Sequence, residues 1–299
     1  MTLVSKVKLI TPTFNQGKFI EETINSVLNQ TYSNIDYVIV DDGSTDNTAD
    51  LLFKFRNKVK SKVQENIGQV RTLNNEWLDS DADFLSYLSS DDLLEPNAIE
   101  KCVDHLERHP DCVCVFPNSD LINSDSNIIK RRVSREFNLE DTIVEQECYI
   151  GPGAVFRRSA FEVVGPWNEK LKLAPDREFW IRLAQEGSID FIKDCLARYR
   201  MHDESISFSV KDLTSSLEYL TVLDDIFNNS RLSIAHLKHP AYQAGHLLVS
   251  RNCFLRGDFL NGLKYIKFSL QYGLSWLFIR KLLSMFRVLI ARLYWKIKV

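Results

Sequence analysis

The sequence predicts an α/β fold on a mostly parallel central sheet, and three observations carry that prediction. Up to about residue 117, short β-branched or apolar runs alternate with segments whose apolar residues recur at helical spacing. Peptides rich in acids and hydroxyls follow those runs directly, at the carboxyl ends of strands, where parallel sheets bind their ligands. From about Leu213 onward the pattern is helical and turns are sparse, so a helical extension follows the sheet.

Val7 to Ile10 reads as the first strand. Phe19, Ile20, Ile24, Val27 and Leu28 then mark a helix that ends near Gln30. Tyr37 to Val40 is a second strand running into Asp41-Asp42-Gly43-Ser44, which has turn chemistry. Asp46 is placed to cap a helix carrying Ala49, Leu52 and Phe53 on one face. Gly68 to Leu78 predicts a helix, Phe84 to Leu88 a strand ending in Ser89-Ser90-Asp91-Asp92, Asn97 to Leu106 a helix, and Val113 to Phe116 a closing strand. Strands alternating with helices imply βαβ units. Residues 118 to 210 are less regular, with Gly151-Pro152-Gly153, Gly165-Pro166 and Pro175 as punctuation. The expected organisation is a main domain over 1–210, with halves of about 1–117 and 118–210, and a helical region over 211–299.

Composition narrows the function. With 299 residues, 44% of them hydrophobic, the chain can bury a sizeable core. The net charge of −3 gives no nucleic-acid signature. Six cysteines lack any CxxC pair; Cys112 and Cys114 lie in an apolar strand and read as buried thiols rather than metal ligands. Met1 to Thr11 has no long apolar stretch or small-residue cleavage site, and no window is apolar enough to span a bilayer, so a cytoplasmic location is expected. No GxGxxG or GxxxxGK[ST] follows a strand, which argues against dinucleotide and P-loop folds.

Adjacent acids at the end of a buried strand repel one another, and a divalent cation is the usual remedy. Asp91-Asp92 fits that reading, with a cation bridging two phosphates; a capping acid for the helix after Glu95-Pro96 fits equally. Asp41-Asp42-Gly43-Ser44 can accept hydrogen bonds from a nucleobase edge, and turn formation alone also explains it.

Taken together the pieces are more specific. Thr11-Pro12-Thr13-Phe14-Asn15, Ser26-Val27-Leu28-Asn29-Gln30-Thr31-Tyr32 and Val40-Asp41-Asp42-Gly43-Ser44-Thr45-Asp46 come first. Asn66-x-Gly68, Ser90-Asp91-Asp92, Gly165-x-Trp167, Asp176 with Phe179-Trp180-x-Arg182-Leu183, and Tyr199-Arg200-x-His202 follow in order. Over roughly residues 6 to 208 the chain resembles the family 2 glycosyltransferases, whose nucleotide-sugar-binding fold is called GT-A. The resemblance implies an inverting transfer of a sugar from a nucleoside diphosphate onto an acceptor hydroxyl, with Mg²⁺ or Mn²⁺ as cofactor. It implies a donor half over about 1–117 and an acceptor half over 118–210. It also implies that Pro12 and Phe14 line the base pocket, that Asp42 bonds the base, and that Asp91 faces ribose or metal. Asp92 would be the main metal ligand and Asp176 the base that deprotonates the acceptor.

Two departures stand out. Ser89 occupies the first acid position of the family's Asp-x-Asp-Asp run, and Pro175 stands where a Glu is common. Arg71 reads either as a diphosphate contact or as a solvated arginine, and His202 either as structural or as a neighbour of the metal. Gly151 to Ala154 reads as an ordinary loop or as a backbone wall beside the acceptor.

From Ile279 to Ile297 apolar residues recur at 279, 282, 283, 286, 290, 293 and 297, with Arg280, Lys281, Arg287 and Arg292 on or beside the opposite face. Contact with an anionic membrane is the favoured reading for 275–299, and packing on the main domain for the helices before it. The expected partners are a nucleotide sugar, with a UDP-sugar as default, and a glycan or lipid-linked acceptor in cell-surface polysaccharide or glycan synthesis. The competing functions are a non-catalytic carbohydrate- or nucleotide-binding module and a sugar nucleotidyltransferase. The presence of Asp42, Asp91, Asp92 and Asp176 disfavours the first, and a single glycine in Thr11 to Lys18 disfavours the second.

Overall fold

In a computed structural model that describes residues 4–202, 211–229 and 234–297, the chain divides into two compact units. The first comprises Met1–Phe137, Tyr149–Glu169 and Glu186–Ser205; the second comprises Asn138–Cys148, Lys170–Gln185 and Ile206–Val299.

The first unit holds one sheet. Its strands are β1 (Val7–Thr13), β2 (Ile35–Asp41), β3 (Lys60–Val63), β4 (Phe84–Tyr87), β5 (Leu93–Leu94), β6 (Cys112–Ile122), β7 (Ile128–Lys130), β8 (Val155–Arg157) and β9 (Ser188–Arg200). They lie in the order β3-β2-β1-β4-β8-β6-β9-β5, with β7 paired to β6. The expected parallel arrangement holds across β3-β2-β1-β4. Beyond β4 the sheet is mixed, because β8 runs antiparallel to both β4 and β6 while β6 and β9 are parallel.

β1 is buried along its whole length, Lys8 included, whose ammonium pairs with Asp36 at 3.3 Å and Glu76 at 3.4 Å. Helices α1 (Ile20–Leu28), α2 (Thr48–Phe55) and α4 (Ala98–Arg108) supply Ile20, Ile24, Leu52, Ile99 and Leu106 to the core beneath Val7, Leu9, Ile39 and Phe84. Alternation along β4 sends Phe84 to that core and Tyr87 to the other face. There Tyr87 meets Trp77 of α3 (Gln69–Leu78), their ring centroids 6.0 Å apart. Trp77 is also edge-on to Phe156, to Trp167 and to Phe161 of α6 (Arg158–Val164), so five aromatic rings close this side.

Two local expectations shift. The buried face of α2 is Thr48, Leu51, Leu52 and Phe55, while Phe53 is exposed under the Arg56 guanidinium. The helix is turned because the Thr48 hydroxyl is tied down: it donates to Asp46 Oδ1 and accepts the Gln16 N–H. Asp46 does bond the first helical N–H, at Thr48. Strand β3 was not expected, since all four of its residues are exposed and no apolar alternation marks it.

The second unit is helical: α5 (Leu139–Val144), α7 (Pro175–Leu183), α8 (Leu213–Asn229), α9 (Lys238–Leu255), α10 (Phe259–Leu270) and α11 (Trp276–Ile297). Ile143, Ile181, Val222, Leu223, Ile226 and Ala241 form one core across α5, α7, α8 and α9. Val249, Cys253 and Tyr265 form a second where α9 meets α10. Among the described residues no helix is long and apolar enough to cross a membrane.

Candidate functional site

Because β2, β1 and β4 are parallel neighbours, their carboxyl ends share one edge of the sheet. That edge receives Thr13-Phe14-Asn15 from β1, Asp41-Asp42 from β2 and Ser89 to Asp92 from β4. The β2 and β4 ends lie on either side of β1, with β4 stopping earlier: Tyr87 is opposite Ile10, whereas Asp41 is opposite Thr13. Asp42 is buried and accepts three hydrogen bonds: Gln64 Nε2 at 2.8 Å and Ile67 N–H at 2.9 Å on Oδ1, and Gly68 N–H at 2.8 Å on Oδ2. It therefore moulds the loop into α3, and of about four lone-pair sites on a carboxylate one remains for a ligand. Gly43 is required beside it. Its φ is +83°, and an added Cβ would come within 3.2 Å of the Asn66 backbone N.

Asp41 was not singled out beyond its motif, yet it is the more telling residue. Its Oδ1 accepts the Ser44 N–H, while Oδ2 is buried without a partner. Thr13, its register partner on β1, has an equally orphaned hydroxyl. Buried polar atoms without partners call for an occupant such as a ligand or water. Phe14, just past β1, leaves 45% of its surface exposed, whereas Pro12 is buried within the strand. Asn15 has φ +53° and accepts the Thr45 and Asp46 N–H groups on Oδ1, which joins the first two strand-end loops.

The Asp91-Asp92 loop is held from three sides. Thr23 of α1 places its hydroxyl 2.9 Å from the carbonyl oxygens of both Ser90 and Asp92. Gln30 donates to Glu95 O and accepts the Ile99 N–H, so the Ser26 to Tyr32 run serves as an anchor for this loop. Arg200, at the end of β9, is wholly buried. It donates to Asp91 O at 2.7 Å, Asn123 O at 3.1 Å and Glu22 Oε2 at 2.8 Å, with its guanidinium 4.8 Å from the Phe19 ring. Its sequence signal was the Tyr-Arg-x-His motif, which gave it no role. Replacing Arg200 with Met orphans two carbonyls and should destabilise the fold by about 3 kcal/mol, read as a lower urea midpoint. An unchanged midpoint would show that the loop does not depend on it.

Asp92 is 3% exposed, and its Oδ1 accepts the Arg200 N–H at 2.8 Å. Burial pushes its pKa well above the ordinary carboxylate range, and the neighbouring Asp91 charge adds to the rise. Asp91 Oδ2 lies 3.0 Å from His202 Nε2, and the His202 ring is 4.8 Å from Phe19. Asp91 Oδ2 and His202 Nε2 have the spacing of two ligands of one divalent cation, while Asp92 does not join them in a three-residue ligand group. Adjacent ligands around an octahedral ion at about 2.1 Å stand about 3 Å apart, and positive charge would relieve two crowded acids. Arg71 is largely exposed, in an ion pair with Glu169 at 2.8 Å. The Gly165-x-Trp167 motif serves packing, since Asn74 bonds both the N–H and the carbonyl of Trp167.

In the second unit, Asp176 is the second residue of α7, after Pro175. Burial raises its pKa, against the opposing pull of the Arg177 N–H and guanidinium. Arg177 is buried, donates to Gln146 O at 2.9 Å and lies 4.9 Å from the Tyr219 ring. Glu178 binds Arg182 through both carboxylate oxygens, at 2.5 and 2.9 Å. This pairing accounts for the arginine of the Phe-Trp-x-Arg segment.

Cys112 and Cys114 are both buried. Cys112 lies within 4.8 Å of ligand atoms of His105 and Asp190, and His105 Nε2 is 2.7 Å from Asp190 Oδ2. Burial, with the Asp190 charge, pushes the Cys112 thiol up to about 11. This group sits at the starts of β6 and β9, away from the carboxyl edge.

The family model described as Glycosyl transferase family 2 matches residues 8–165. An uncharacterized glycosyltransferase of Rickettsia typhi is 29% identical over 66% of this chain and 64% of its own length. Chondroitin synthase of Escherichia coli is 26% identical over 79% of this chain and 34% of its own. The chain thus covers less than two thirds of either relative. Among solved structures, residues 1–349 of S. aureus TarS in complex with UDP-GlcNAc superpose with a TM-score of 0.70 at 19% identity, over 89% of this chain and 81% of that one. The mannosyltransferase PcManGT of Pyrobaculum calidifontis, in complex with GDP-Man and Mn²⁺, gives 0.62 at 15% identity, over 97% and 81%. At those identities the likeness concerns the fold.

Proposed function

The chain belongs to glycosyl transferase family 2 and has the GT-A fold, and from that premise we propose that it transfers a sugar from a nucleoside diphosphate to an acceptor hydroxyl with inversion. The observation that carries the proposal is the shared edge of β2, β1 and β4. It offers orphaned polar atoms and an exposed ring at the ends of β1 and β2, and a carboxylate–imidazole pair, Asp91 with His202, past the end of β4. Those ends suit a base and a diphosphate.

In this reading Phe14 stacks on the base, and Asp41, Thr13 and the remaining lone pair of Asp42 recognise its polar edge. Asp91, Asp92 and His202 hold Mg²⁺ or Mn²⁺, which when bound supplies positive charge to the diphosphate. Asp176 takes the proton from the acceptor hydroxyl as that oxygen bonds to the anomeric carbon. The bond from that carbon to the diphosphate breaks in the same step, so one displacement inverts the configuration. Arg71 reaches the diphosphate only by leaving Glu169. A UDP-sugar is the first donor to test and a GDP-sugar the second, following the complexes of the two structural neighbours. The names of the synthase relatives support a glycan acceptor in polysaccharide synthesis.

A panel of nucleotide sugars with and without Mn²⁺, scored by thermal shift and by release of nucleoside diphosphate, tests the proposal. One donor should raise the melting temperature in a Mn²⁺-dependent way and be turned over. If no nucleotide sugar or nucleoside diphosphate shifts melting under either condition, the transferase reading is wrong.

A further inference from the structure

The last two helices keep an apolar surface in water that the fold does not need. On α11, Trp276, Ile279, Leu283, Phe286 and Ile290 follow at three- and four-residue steps, and all five are exposed. The buried side of the helix, with Phe278 and Met285, lies roughly a third of a turn away, so this stripe is separate from the core-facing one. On α10, Phe259, Leu263 and Leu270 form a second exposed stripe, while Gly262, Tyr265 and Ser269 face inward. Both helices seat on α9: Ser250 Oγ donates to Gly262 O at 2.8 Å and lies 3.8 Å from Met285 Sδ.

The turn between them is held in place. Buried Gln243 donates to Gly273 O at 2.6 Å and accepts the Ser275 hydroxyl, which in turn accepts the Phe278 N–H at 3.0 Å and caps α11. This fixed turn presents Leu274 at 74% exposure and Trp276 at 75%, and Leu260 of α10 is 85% exposed. Exposed apolar stripes on a built scaffold mark a site of interaction.

Charge identifies the occupant. From Phe259 to Val299 the sequence has eight Lys or Arg and no Asp or Glu. Arg280 and Lys281 are taken by Glu145, whereas Lys264, Lys267 and Arg287 are exposed beside the stripes. We propose that α10, the turn at 271–275 and α11 lie in the headgroup region of an anionic lipid bilayer, with Leu274 and Trp276 inserted and the lysines on the lipid phosphates. A tryptophan at the apolar–polar boundary and a basic flank are the features of an interfacial helix, as distinct from a spanning one. This inference is independent of the donor site.

The test sediments the full chain with vesicles of phosphatidylcholine alone or mixed with phosphatidylglycerol. Binding to the anionic vesicles should be at least about tenfold tighter and should weaken with salt. The double variant Leu274→Ser with Trp276→Ser should lower it by about tenfold. Lys264→Glu with Lys267→Glu should abolish the preference for phosphatidylglycerol. The nucleotide-induced thermal shift should be unchanged in both variants, which separates loss of lipid contact from loss of fold or of the donor site. Absence of binding to either vesicle overturns the proposal. So does a dimer that the serine variant converts to monomer in light scattering, since the surface would then be covered by a second copy.

Discussion

Asp176→Asn is expected to lower kcat/KM by about 10³-fold while leaving the affinity for the nucleotide sugar within about twofold of wild type. Asparagine keeps the shape and the hydrogen bonds at the start of α7 but cannot accept a proton from the acceptor. The protein environment sharpens the expectation. Burial raises the Asp176 pKa and the Arg177 N–H and guanidinium lower it, with burial dominant. A base acts only when deprotonated, so activity is lost as pH falls through that raised pKa. The acid limb of the kcat/KM profile should therefore lie above the ordinary aspartate range and vanish from the residual activity of the variant. Full turnover by Asp176→Asn, or an acid limb at the value of an exposed aspartate, would remove the assignment. The readout is initial rate against pH, with donor affinity measured separately by calorimetry.

Asp91→Ala and His202→Ala are each expected to weaken Mn²⁺-dependent donor binding by about 10- to 100-fold. Their side chains meet at 3.0 Å, so removing either takes one donor from the proposed ion and leaves the other without its neighbour. Asp92→Ala should act in the same direction. It should also loosen the end of β9, because it frees the Arg200 N–H. A chelator separates the two effects: in its presence the Asp91 and His202 variants should match wild type, and Asp92→Ala should still melt lower. If chelation leaves wild-type donor binding unchanged, the cation has no place in this site.

Much of this could be read along the chain. The strand and helix periods of β1, α1, β2, α3, β4 and α4 are local properties of where apolar residues recur, and they located most elements to within a few residues. β3 escaped because an exposed edge strand buries nothing and leaves no alternation. The α2 face was offset because Asp46 and Gln16, outside the helix, fix the Thr48 hydroxyl. In the acid peptides the residue types were legible, but their occupations were not. Asp42 spends three of its acceptor sites on Gln64, Ile67 and Gly68, while Asp41 beside it keeps a buried oxygen unpartnered.

The amino-acid order by itself determined the class of fold, the family motifs and the identity of the acids, because each rests on side-chain chemistry and short-range spacing. Only the tertiary structure decided that Arg200, more than a hundred residues after Asp91, holds that loop in place, and that Asn138–Cys148 and Lys170–Gln185 group with the C-terminal helices. It also decided that the apolar stripes of α10 and α11 face water. Periodicity shows that a helix has an apolar side, but what covers that side depends on which distant segments the chain brings against it.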